Sequence, residues 1–258
     1  MSALLVDIGN TRIKWARFDG RRLGRQHAAV HSDWRIEDYA RRVIGSARGL
    51  ERIVVASVAG SRTNRNLAAA ARRAKARSPD FVASRRRAGG VTVGYLEPWR
   101  LGVDRFVAVI GAHHLSNGRA ACIVGIGTAM TIDLVAADGR HRGGAIIPAP
   151  GLMVETLLRN TNGIRRRARG GGRGGTGLFG RSTRAAIVQG SRYAAAAMVD
   201  RAVNEARTLV GRAPLVILTG GEALSVRPLM RSASVVIPDL VLRGLAVLCV
   251  EPRSPVPP

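Results

Sequence analysis

At 258 residues the chain can hold one large domain or two of roughly 100–150 residues each. Its 46% apolar content excludes global disorder, and no run approaches the roughly 20 apolar residues that a membrane helix needs. The net charge of +24 comes from 41 basic residues, nearly all arginine, with lysine only at Lys14 and Lys75; such a chain attracts polyanions non-specifically, nucleic acid included, but arginines scattered as at Arg41, Arg42, Arg72, Arg73 and Arg77 form no patch.

The opening MSALLVDIGNT reads as a first strand and not as a signal peptide, because Asp7 interrupts the apolar run and no basic region precedes it. Cys122 and Cys249 sit inside apolar runs and are expected as buried thiols in a reducing compartment, the cytoplasm.

In chain order, LLVDIG, RIKWARF and, after the Asp19-Gly20 turn, LGRQHAAV predict three antiparallel strands. A helix is expected from Asp33, as N-cap, to Ile44, with Trp34, Tyr39 and Val43 facing the core. Residues 52–59 read as a buried strand and 63–77 as a helix. The second half starts the same way, with strands at 121–127, 128–137 and 142–147 and an Asp138-Gly139 turn. Helices at 151–160 and 182–209, strands at 215–221 and 233–238, and a last helix at 239–249 complete it. Val6-Asp7-Ile8-Gly9 aligns with Val124-Gly125-Ile126-Gly127. The expected fold is therefore α/β, duplicated β-β-β-α-β-α halves with mixed sheets and an interdomain cleft, dividing between His114 and Arg119.

Four constellations carry chemistry. Asp7-Ile8-Gly9-Asn10-Thr11 places a magnesium-type carboxylate and a glycine that lets backbone approach phosphate at one hairpin turn, with Lys14 close behind; an ordinary Asn-containing turn has the same spacing. Gly127-Thr128-Ala129-Met130-Thr131 repeats a glycine-threonine loop at the matching place. Gly220-Gly221 ends the strand LVILT, either against a nucleoside or as a tight turn. In Leu101-Gly102-Val103-Asp104-Arg105, Asp104 either caps the following helix or orients a hydroxyl beside an anion-binding Arg105. His113-His114 lack partners for a metal site. The Arg/Gly island RRRARGGGRGG at 165–175 reads as a mobile surface loop. There is no G-x-x-x-x-G-K-[ST] loop and no G-x-S-x-G elbow.

DIGNTRIKW (7–15), VVASVA (54–59), LGVDRF (101–106), GTAMTID (127–133), GGAIIP (143–148), LTGGEA (218–223) and PDLVLRGLAVL (238–248), in this order, resemble the motifs of type III pantothenate kinase. The resemblance implies a ribonuclease-H-like fold of the actin/Hsp70/sugar-kinase type, with domains at 1–116 and 117–258, and MgATP-dependent phosphorylation of pantothenate to 4'-phosphopantothenate, the first step of coenzyme A biosynthesis. It implies that Asp7, Ile8, Gly9, Asn10, Thr11, Arg12, Ile13 and Lys14 wrap ATP phosphates, with Asp7 near Mg2+, and that Thr128 binds ATP. Tyr95, Gly102, Val103, Asp104, Arg105 and Thr183 would contact pantothenate, Asp104 as the base on its primary hydroxyl, in a homodimer.

Three positions depart from the family pattern. Gly125 stands where an aspartate usually binds a monovalent cation, K+ or NH4+, so such activation is expected to be weak or carried by another oxygen. The usual proline-glycine turn appears as Pro148-Ala149-Pro150-Gly151, and Phe106 replaces a common tryptophan. The alternatives are a non-catalytic relative acting as a regulatory or nucleic-acid-binding accessory factor, and a sugar or acetate kinase of the same fold.

Overall fold

The computed structural model describes residues 2–47, 49–168 and 177–251. Three strands open the chain, β1 (Ala3–Ile8), β2 (Arg12–Phe18) and β3 (His27–Val30), followed by helix α1 (Ile36–Arg42), strand β4 (Arg52–Ser57), helix α2 (Ser61–Arg73) and the short strand β5 (Pro79–Phe81). The sheet order is β3-β2-β1-β4-β5, with β1 antiparallel to β2 and parallel to β4. A two-residue hairpin, β6 (Arg87–Ala88) and β7 (Val91–Thr92), leads to helix α3 (Val103–Ser116).

The second half repeats the plan with β8 (Ala121–Ile126), β9 (Ala129–Val135), β10 (His141–Pro148), α4 (Pro150–Asn160), α5 (Asn162–Arg167), α6 (Thr183–Val210), β11 (Leu215–Thr219), α7 (Ala223–Val226) and β12 (Val235–Val236). Its sheet order, β10-β9-β8-β11-β12, reproduces the first strand for strand. Helix α8 (Leu240–Val250) ends the described chain. Two sheets with one strand order, each carrying helices, make the duplicated ribonuclease-H-like α/β fold expected from the sequence.

β1 reads as an almost continuous apolar run because both its faces are covered, and all of Ala3–Ile8 is buried. Leu4, Val6 and Ile8 face a core shared with Tyr39 and Val43 near α1 and with Leu67, Ala70 and Ala71 of α2. α8 packs on β1 and β4 and crosses α3 closely. The crossing depends on Gly111 and Gly244: a Cβ at Gly111 would lie 2.6 Å from the Leu240 carbonyl oxygen and 2.9 Å from the Gly244 nitrogen.

The described residues of 1–117, 139–141 and 239–258 form one compact unit, and those of 118–138 and 142–238 the other. The last helix is thus part of the first unit, whereas the sequence had assigned it to a domain of 117–258. Two local expectations also change. The first helix begins at Ile36 behind Arg35, not at Asp33; the Arg35 backbone N–H donates to the Asp38 carboxylate at 3.1 Å, which ties the first turn from inside the helix. Pro148-Ala149-Pro150-Gly151 is a helix start, with Ala149 as N-cap and Pro150 in the first turn, where its missing N–H costs nothing. Of the Arg/Gly island, residues 165–167 close α5 instead of belonging to a loop, and 169–175 lie outside the described residues.

Candidate active site

The turn between β1 and β2 carries the first constellation. Asp7, 8% exposed at the end of β1, pairs across the ladder with Lys14. Burial pushes the Asp7 carboxyl up to about 6; the Lys14 charge pulls it back and the Asp104 charge pushes it further up. The Gly9 N–H donates to the Arg12 carbonyl at 3.0 Å and closes the turn, leaving Asn10 and Thr11 exposed at its tip. Ile8 and Ile13 bury their side chains completely in the core, so they can offer a ligand backbone only.

The turn is held from behind by a residue the sequence did not single out. The buried His31 ring donates Nε2–H to the Gly9 carbonyl at 2.8 Å, and the His31 backbone N–H donates to the Thr11 carbonyl at 3.3 Å. A carbonyl only accepts, so in the neutral ring Nδ1 is the acceptor, taking the Tyr39 hydroxyl at 3.1 Å. No short-range pattern marks this histidine, whose partner lies 22 residues away.

The second constellation sits at the N-terminus of α3. Gly102 is the N-cap, and its carbonyl accepts the Phe106 N–H at 2.9 Å. Asp104 therefore lies inside the first turn and is not the cap that spacing allowed; its Oδ1 accepts the Arg105 backbone N–H at 2.8 Å. A carboxylate here is favoured by the helix dipole. The buried Arg105 guanidinium donates to the Tyr95 hydroxyl at 2.9 Å and lies 5.7 Å from the centre of that ring. His141 lies 5.8 Å from the same ring. Arg86 fixes the Tyr95 segment by donating to the carbonyls of Val93, Tyr95 and Leu96 at 3.2, 2.9 and 3.0 Å, a brace that sequence reasoning also missed.

In the second unit Gly127 N–H donates to the Ala129 carbonyl at 3.0 Å, closing a turn one residue shorter than the first, with Thr128 exposed at its tip and its carbonyl accepting from Ala149 N–H at 3.4 Å. Gly220, with φ of 99°, brings the end of β11 against the Ile126 backbone too closely for any side chain. Thr183 is the first residue of α6, behind Ser182, whose hydroxyl accepts the Ala185 N–H at 3.2 Å. Gly125 has no side-chain oxygen to offer a cation, and a Cβ there would lie 2.9 Å from Thr131 Oγ1.

Of the predicted residues, Asp7–Lys14, Tyr95 and Gly102–Arg105 lie in the first unit, and Thr128, Thr183 and Gly125 in the second. The first unit thus holds two carboxylates that sense each other's charge, a lysine across a ladder from one and a buried arginine next to the other. Asp7 suits a divalent cation: it is an oxygen donor in a place where its own ionisation is costly and a nearby positive charge would offset that cost. Position 125 offers no carboxylate, and among the described residues no group of three or more His, Cys, Asp and Glu is arranged to ligate a metal.

A family model described as type III pantothenate kinase matches residues 3–205. The chain is 35% identical over 247 residues to a type III pantothenate kinase from Nitrosococcus oceani, covering 94% of this chain and 92% of the relative. It is 36% identical over 247 residues to one from Stenotrophomonas maltophilia, covering 95% of this chain and 96% of the relative. Among solved structures, one described as a Baf family transcriptional activator from Campylobacter jejuni superposes with a TM-score of 0.59 at 16% identity, over 94% of both chains. Component A of (R)-2-hydroxyglutaryl-CoA dehydratase from Acidaminococcus fermentans gives 0.55 at 12% identity, over 97% of this chain and 96% of the other. At such identities the structural likeness speaks for the fold alone.

Proposed function

The chain belongs to the type III pantothenate kinase family and phosphorylates pantothenate with ATP, and on that premise we propose that Asp104 is the base, that Tyr95 and Arg105 bind pantothenate, and that Asp7 and its turn bind the MgATP phosphates. Phosphoryl transfer asks a protein mainly to position an attacking oxygen and neutralise charge.

What supports the assignment most directly is that Asp104, on the first turn of α3, is one of the charges felt by Asp7, whose carboxyl is pushed up mainly by burial, pulled back by Lys14 and pushed further up by Asp104. The hydroxyl to be phosphorylated and the phosphate to be transferred must approach to within van der Waals distance, so a base and a metal-phosphate site are expected as neighbours. Asp104 accepts the hydroxyl proton of pantothenate and orients the oxygen for in-line attack. Arg105, pre-oriented by Tyr95, offers a guanidinium to the pantothenate carboxylate. Gly102 and Val103 line the same helix start, and Lys14 offsets phosphate charge; Thr128 is read as an ATP ligand and Thr183 as a pantothenate ligand. Magnesium, held by Asp7 directly or through water, would neutralise the charge of the transferred phosphoryl group.

We also read the enzyme as a cytoplasmic homodimer. The buried free thiols of Cys122 and Cys249 support the compartment. The exposed Leu178 and Phe179 just before Thr183, and an apolar groove of about 490 Å³ between α4 and α6 lined by Met153, Leu157 and Ile187, support an interface. A single-chain mass by light scattering would refute the dimer. The decisive assay for the site is phosphopantothenate formation by Asp104→Asn: kcat should fall about 100-fold or more at unchanged melting temperature, and retained turnover would remove Asp104 from its role.

A further inference from the structure

We infer that His31 is a positioning residue for ATP: it locks the Gly9–Asn10 peptide plane so that the Asn10 N–H is presented to the triphosphate. The inference rests on the reading of 7–14 as the phosphate-binding turn.

In a trans peptide the carbonyl and the following N–H point in opposite directions. The Gly9 carbonyl is bound to His31 Nε2 at 2.8 Å, so the Asn10 N–H is aimed away from His31. Without that bond the peptide could rotate at little cost, because Gly9 has no side chain to restrict it. A rotated peptide would offer a carbonyl oxygen where an anion needs a donor.

The lock is itself held. His31 is 4% exposed. Its Nδ1 takes the Tyr39 hydroxyl at 3.1 Å. The Tyr39 hydroxyl donates to His31 and His31 to the Gly9 carbonyl, so the two bonds fix the tautomer that donates from Nε2. Trp34 packs edge-on against both rings, at 6.4 Å from His31 and 5.2 Å from Tyr39, and fixes their planes. A buried histidine with both nitrogens satisfied could serve packing alone; what sets this one apart is that its partner is the glycine of the phosphate-binding turn.

The test compares His31→Leu, which keeps bulk without a donor, His31→Gln, whose side-chain amide can donate from nearly the same place, and Tyr39→Phe, which leaves His31 but frees its tautomer. The measurements are MgATP affinity by calorimetry, KM for ATP and for pantothenate, and the melting temperature. His31→Leu should weaken ATP binding and raise its KM about tenfold, the effect of one lost hydrogen bond to an anion, with KM for pantothenate within about twofold of wild type. His31→Gln should recover most of the loss, and Tyr39→Phe should shift ATP alone by about threefold. Wild-type ATP affinity in His31→Leu overturns the inference, as does an equal rise of both KM values with a fall in melting temperature, which is the signature of a structural role. If His31→Leu does not fold, an unchanged KM for ATP in Tyr39→Phe overturns it. Lack of pantothenate phosphorylation by the wild-type protein would count against the functional reading instead, while ATP binding by the variants would still judge the role of His31.

Discussion

Asp7 faces Lys14 across the β1–β2 ladder, and at the matching place in the second sheet Gly125 faces Thr131. The duplication has kept the hairpin and given its ionic pair to one half only. The first turn thereby carries a carboxylate opposite an ammonium, in line with the metal and phosphate role proposed for it, and the matching positions of the second offer backbone and a hydroxyl.

Asp7 should cost the metal-free protein stability. Its folded pKa of about 6 lies above the ordinary aspartate value of 3.8, so between these values the folded chain holds the proton more tightly than the unfolded one. The group is neutral in both states at low pH, and stability falls as pH rises through this window and then levels off. Asp7→Asn removes that cost: the variant should be more stable than wild type by on the order of 2–3 kcal/mol at pH 8, shrinking to about 1 kcal/mol at pH 4.5. Urea denaturation in the presence of a chelator measures both. The same variant should be inactive, and a variant that is less stable than wild type at pH 8 would refute the electrostatic account.

Arg105→Lys tests substrate recognition. The guanidinium is buried, bonded to Tyr95 and stacked near its ring, and an ammonium reproduces neither the fork nor the stacking. KM for pantothenate should rise roughly 10- to 100-fold while KM for ATP stays within about twofold. Tyr95→Phe should move the same constant by a smaller factor, because the ring remains to pack. Equal changes in the two KM values would place Arg105 outside the pantothenate site.

Much of this was legible in the sequence, for identifiable reasons. The hairpins announce themselves through apolar strands around Asp19-Gly20 and Asp138-Gly139, and the repeat of Val6–Gly9 in Val124–Gly127 gives away the duplication. β5 was missed because Pro79-Asp80-Phe81 is a short, largely exposed edge that offers no alternation. The place of α8 was missed because an apolar helix does not say which sheet it covers; that is settled by the Gly111–Gly244 approach, between residues far apart in the chain. His31 and Arg86 were missed because each acts on backbone carbonyls, which leave no trace in the identity of the residues that own them.

Monovalent cations should matter little to this enzyme. Gly125 supplies no carboxylate, and a Cβ at that position would sit 2.9 Å from Thr131 Oγ1, so the room for one is already taken by a hydroxyl on the paired strand. Replacing K+ by Na+ or a bulky organic cation should change kcat/KM by less than about twofold, since position 125 holds no carboxylate to bind the ion. Gly125→Asp should not restore activation. It forces the new side chain against Thr131 and should destabilise the fold by about 1–3 kcal/mol, whereas adding Thr131→Ala should return most of that loss by clearing the contact. A strong K+ requirement in the wild-type enzyme, measured as turnover against cation concentration at constant ionic strength, would mean that neutral oxygens suffice to hold the ion, and the missing carboxylate would then carry no consequence.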